Sequence, residues 1–216
     1  KRLDAPFVLV QHMPAGFTAE FAASLNNLCP LPVSEAKDGE PILGGHVYIA
    51  PGGYHMLVEK RIFGNFIKLS QENQQNGHRP SVDVLFNSVA KIYQNKALGV
   101  IMTGMGKDGA AQLAEMRKQG AWTLGQDQES SIVYGMPRVA LELGGVQKQV
   151  SLKDMAKEIS TLAKENLPEY QIAKHCIKYE LNAHNQFSDT IIAVGVVGLI
   201  LLLLFFAHSI AISHLP

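Results

Sequence analysis

Cysteine is scarce in this 216-residue chain. Cys29 and Cys176 are the only two, too few for a disulfide framework or a four-ligand zinc site. Net charge is absent as well. Nineteen Lys and Arg offset nineteen Asp and Glu, which argues against a nucleic-acid binder that works by neutralising phosphates. There is one tryptophan, and neither an internal repeat nor a low-complexity tract is visible. With 47% hydrophobic and 18% charged residues, the composition excludes global disorder and fits one globular domain with an appendage. The first residue is Lys1, which suggests a piece of a longer product.

Charge is also missing locally. After Asp189 no Asp, Glu, Lys or Arg follows. Residues 190–207 read TIIAVGVVGLILLLLFFA, and as a helix they would extend about 27 Å, close to the hydrocarbon thickness of a bilayer. The expectation is a transmembrane helix over 190–207, joined by a polar linker over 166–189 to a domain over 1–165. Lys174 and Lys178 precede the apolar segment and nothing basic follows. The positive-inside bias therefore puts the folded part in the cytoplasm, tail-anchored to the membrane.

Within residues 1–165 short apolar runs alternate with helical patterns. Residues 6–10, 47–50, 97–102, 122–126 and 146–150 read as buried strands, and 54–60 with 65–70 as a hairpin around Gly64. Helical stripes start near Phe17, with Thr18 as a cap, after Pro80-Ser81, at Ala110, at Pro137 and after Ser151. The pattern predicts an α/β fold: a doubly wound, mainly parallel sheet with helices on both faces and an antiparallel edge hairpin.

Ligands of such sheets sit beyond the carboxyl ends of the strands, which singles out three loops. His12 follows the first strand directly and could act as a general base. The loop Thr103-Gly104-Met105-Gly106-Lys107-Asp108-Gly109 follows residues 97–102, and its glycines can expose backbone N–H groups to an oxyanion. Asp108 can cap the following helix or, alternatively, hold a histidine in one tautomer. The same loop spells G-x-G-x-x-G through Gly104, Gly106 and Gly109, with Asp127 about 18 residues on. That spacing admits a dinucleotide-binding oxidoreductase, although Lys107-Asp108 puts two charges where that motif packs small residues. In the third loop, Asn76–Asp83, Arg79 could pair with an acidic substrate segment, or His78 and Arg79 could hold the loop through backbone bonds. The remaining histidines show no ligand spacing, so no metal is expected.

Five stretches together resemble a family. They are QHMPAGFTAEFAASLN (11–26), EAKDGEPILGGHVYIAPGGYHM (35–56), NGHRPSVDVLF (76–86), TGMGKDGA (103–110) and QDQESSIVYGMPRVALELGGV (126–146). In this order they resemble the catalytic domain of the chemotaxis protein-glutamate methylesterases (CheB). The resemblance implies an α/β esterase with a Ser-His-Asp triad that removes methyl groups from glutamates of methyl-accepting chemotaxis receptors and deamidates particular glutamines, without metal or cofactor. By block, His12 matches the catalytic histidine, Asp108 the triad acid, and Met105 the residue whose backbone N–H helps form the oxyanion hole.

The resemblance also places the nucleophile in a Gly-Ser-Thr-Gly-Gly-like turn after a strand upstream of QHMP. Only eleven residues precede His12, none of them serine, and Ser24, Ser34, Ser70, Ser81, Ser88 and Ser130 lie in no such turn. The expectations are a domain without its first strand, an exposed edge at 6–10, and no esterase activity in the chain as it stands. The alternative is a membrane-tethered, non-catalytic receptor-binding module.

Overall fold

A computed structural model of the chain describes residues 5–165 and 191–196. Strands β1 (Phe7–Gln11), β2 (Val33–Glu35), β3 (Val47–Ile49), β6 (Ala97–Ile101), β7 (Trp122–Gln126), β8 (Lys148–Val150) and β9 (Ile191–Val196) form one sheet, in the order β2-β3-β1-β9-β6-β7-β8. Every pairing in it is parallel. Helices α1 (Phe17–Leu28), α2 (Val82–Tyr93), α3 (Ala110–Lys118), α4 (Met136–Glu142) and α5 (Leu152–Glu165) cover it. Strands β4 (His55–Arg61) and β5 (Gly64–Ser70) pair antiparallel in a second sheet of two strands. The hairpin expected at the edge of the main sheet thus stands apart from it.

The two-residue period of the strands sorts the core into two layers. Val8 and Val10 of β1 join Val82, Leu85 and Phe86 of α2, Leu113 and Met116 of α3, and Met56 and Ile67 of the hairpin. Phe7 and Leu9 face the other way, among Ala22 and Leu25 of α1 and Met155 and Ile159 of α5. Both faces of β1 are therefore apolar, and all five of its residues are buried. This is why the strand reads as a continuous hydrophobic run instead of an alternating one.

The largest departure from expectation lies in the apolar tail. Over Ile191–Val196 the chain is a strand, not a membrane helix. It lies between β1 and β6, with Ile191 and Ala193 in one core layer and Ile192 and Val194 in the other. Among the described residues no helix is long and apolar enough to cross a membrane. A β-branched apolar run satisfies a sheet interior as well as a bilayer, and its length alone favoured the helix. The remainder of 190–207 and the linker over 166–189 lie outside the described residues. The exposed edge expected at 6–10 is likewise absent: β1 has β3 on one side and β9 on the other.

Candidate active site

Parallel strands bring their carboxyl ends to one rim, and His12 leaves β1 there, as the Thr103–Gly109 loop leaves β6. His12 Nε2 lies 2.8 Å from Asp108 Oδ2, with the imidazole 12% exposed and the carboxylate fully buried. Asp108 does not cap its own helix; Gly109 holds the N-cap position of α3. It instead closes the start of α2. Val82 N–H donates to Oδ2 at 2.7 Å and Asp83 N–H to Oδ1 at 3.2 Å. Ser81, the N-cap residue of α2, makes no cap bond itself and donates its hydroxyl to Oδ1 at 2.7 Å. The Asn76 amide adds a fifth donor at 3.0 Å.

Burial alone would push the Asp108 carboxyl up. The bonds from His12, Asn76, Ser81 and Val82 outweigh it and bring it from 3.8 down to about 2. The N-terminus of α2 adds a favourable dipole. A carboxylate only accepts hydrogen bonds, so His12 Nε2 carries the proton and Nδ1 keeps its lone pair. Asn76 Nδ2 also donates to Asp83 Oδ2 at 2.6 Å and so bridges two carboxylates. Burial holds the second of these, Asp83, above the ordinary carboxyl range.

His78 stacks on His12 with ring centroids 3.8 Å apart and planes 4° from parallel. Burial lowers its pKa, and the charge of a protonated His12 lowers it further. Sequence reasoning gave this residue only a loop-ordering part; the signal available was its place in the NGHRPSVD block. Arg79, expected either to bind substrate or to order the loop, has Nη1 engaged in the ordering part. Its Nη1 donates to the carbonyls of Gln71 at 2.9 Å and Glu72 at 3.0 Å.

The Gly-rich loop is clamped from behind. Gly104 N–H donates to Val133 O at 3.0 Å, Met136 N–H to Gly104 O at 2.8 Å, and Thr103 N–H to the Gln126 side chain at 2.9 Å. Met105, at the crest of the loop, is 80% exposed. Asp127, the acid of the dinucleotide spacing, is spent on a local turn, accepting the Ser130 N–H at 2.9 Å and its hydroxyl at 2.6 Å. Beside the histidine pair runs a groove of about 680 Å³ lined by Asn76, His78, Gly106, Lys107, Arg138 and Val139. It adjoins a cleft of about 560 Å³ that reaches Asp83 and Asn87.

The CheB methylesterase family model matches residues 1–159. The chain belongs to the CheB methylesterase family. It is 58% identical over 165 residues to a protein-glutamate methylesterase/protein-glutamine glutaminase of Treponema denticola, a match covering 76% of this chain and 44% of that protein. A protein of the same description from Treponema pallidum is 56% identical over 162 residues, 75% of this chain and 40% of that protein. The chain therefore spans less than half the length of these curated relatives. The CheB methylesterase catalytic domain of Thermotoga maritima superposes with a TM-score of 0.73 at 36% identity, covering 74% of this chain and 85% of that one. The matched residues include six of the seven strands of the main sheet, β9 lying beyond them, and His12, Met105, Lys107 and Asp108 all fall inside the match.

Proposed function

We propose that this chain carries the base-and-acid part of a hydrolase acting on glutamate methyl esters and glutamine amides of chemotaxis receptors, the reaction class for which its Treponema relatives are named. The observation that carries the reading is the 2.8 Å bond between His12 and a carboxylate held ionised by four further donors. Asp108 fixes the His12 tautomer and stabilises the imidazolium that forms. Nδ1 of His12 takes the proton of an attacking hydroxyl and returns it to departing methanol or ammonia, and in the second half it activates water against the acyl intermediate. The Met105 N–H receives the tetrahedral oxyanion. One such donor is worth about 2.7–4 kcal/mol in the transition state. Lys107 and Arg138, both exposed along the groove, fit an acidic receptor segment that becomes more acidic with each ester removed.

Among the described residues no hydroxyl hydrogen-bonds to His12, and Ser81 is turned to Asp108. On this reading the chain binds its substrate and leaves the ester intact. The test is a receptor fragment carrying isotopically labelled methyl esters. Expected are saturable binding of the fragment and no methanol release that depends on His12. Release abolished by His12→Ala would overturn the missing nucleophile while supporting the reaction class. Absence of binding would overturn the function itself.

A further inference from the structure

Strand β9 does more than fill a gap between β1 and β6. Near its carboxyl end Gly195 stands in register with Val10 and Ile101, and its carbonyl accepts Met102 N–H at 3.0 Å. No left-handed backbone requires glycine at this position. Its requirement is steric: a Cβ there would overlap Val82 Cγ1 and lie 2.9 Å from Cγ2 and 3.2 Å from Cβ. Val82 also meets Gly109, where an added Cβ would come within 2.9 Å of the Val82 Cβ. Val82 is thus fully buried and packed against two glycines at the first position of α2. Its N–H donates to Asp108 Oδ2, the oxygen that also meets His12.

We infer that Gly195 is a positioning residue of the His12–Asp108 pair: the bare backbone of β9 lets Val82 sit low enough for its N–H to reach the carboxylate. A methyl group at 195 would press on Val82, lift the first turn of α2, and loosen the donor that holds Asp108 in place. The apolar segment that reads as a membrane helix would then set the geometry of a carboxylate about 90 residues earlier in the chain and of the imidazole it meets. This inference concerns the pair, not its catalysis, so it stands or falls independently of the hydrolase reading.

The test uses the full chain and the amide proton of Val82, which a carboxylate acceptor shifts downfield. In Gly195→Ala that resonance should move upfield and its hydrogen exchange should speed by at least about tenfold relative to other α2 amides. Adding Val82→Ala in the same chain vacates the space and should return the residue-82 amide to a carboxylate-bonded shift. Ile192→Ala serves as control. It also alters β9, but by removing side-chain atoms on the opposite face of the sheet, and should lower stability without moving the Val82 amide. An unmoved amide in Gly195→Ala, no rescue in the double variant, or an equal shift in Ile192→Ala would each overturn the inference. Should Gly195→Ala alone not fold, the double variant decides: a native fold with a carboxylate-bonded amide supports the inference, and failure to fold refutes it.

Discussion

Replacing Asp108 by asparagine keeps the shape of the site and removes its charge. In the folded chain the carboxyl sits at about 2 against an ordinary 3.8. A depressed value means that the native state prefers the ionised form. The stability it confers is complete above 3.8 and is lost as pH falls through about 2. That difference is worth on the order of 2 kcal/mol at pH 7. The side chain is fully buried, so solvent screening does not reduce that figure. At pH 3 roughly half of it remains.

Urea unfolding of the parent and Asp108→Asn chains between pH 7 and pH 3 reads this directly, because every other carboxylate titrates in both chains. Asp83 complicates the difference, since its upward shift, caused mainly by burial, also includes repulsion from Asp108. An Asp83→Asn, His12→Gln background in both chains removes it, together with the imidazole that meets Asp108. At pH 7 Asp108→Asn should cost about 3–5 kcal/mol, because its amide would turn hydrogens toward groups that are themselves donors. Between pH 7 and pH 3 the gap should narrow by about 1 kcal/mol. A gap that does not change with pH would refute the claim that the donors around Asp108 hold it ionised.

His78 should act on stability near neutrality. Its lowered folded value means that the unfolded chain takes up the proton first, so stability falls as pH drops below 6.5. His78→Phe, which keeps a ring against His12, should flatten the urea midpoint between pH 7.5 and 5.5, and a slope equal to the parent's would refute this. Ile192→Asp puts a carboxylate into the middle of the main sheet, where Ile192 is fully buried; it should cost more than about 3 kcal/mol and lower the thermal midpoint of the whole domain. An unchanged midpoint would mean that β9 is not part of the sheet. Lys107→Glu and Arg138→Glu should each weaken binding of a methylated, acidic receptor fragment by about fivefold at low salt, with the loss shrinking as salt rises. Equal affinities at every salt concentration would remove the groove from the binding surface.

The strands that flank the site were legible because they are buried on both faces. Residues 6–10 and 97–102 are continuous apolar runs, and that pattern alone predicts interior parallel strands. His12 and Asp108 were legible as candidates because each directly follows such a run or its glycine loop. Their meeting was legible only through the family resemblance, since it depends on two non-adjacent strand ends and on α2, whose start carries no mark that a distant carboxylate will cap it. Val33–Glu35 is too short for any period to show. Ile191–Val196 was misread for a different physical reason. Local hydrophobicity reports that a segment avoids water without reporting which apolar environment receives it. The vacancy between β1 and β6 is a property of the sheet, not of any stretch of sequence.

That distinction bears on how the site is held. Asp108 is at once the cap of α2 and the partner of His12, so the same donors that lower its pKa also start a helix carrying much of one core layer. Chemistry and stability are therefore coupled at one carboxylate. Weakening the His12 bond alone leaves four donors on Asp108 and should spare the fold. Removing the carboxylate removes both functions together. His12→Ala should thus unfold at nearly the parent's urea midpoint, while Asp108→Asn falls well below it. Equal losses from the two substitutions would mean that the imidazole, not the helix start, is what the carboxylate stabilises.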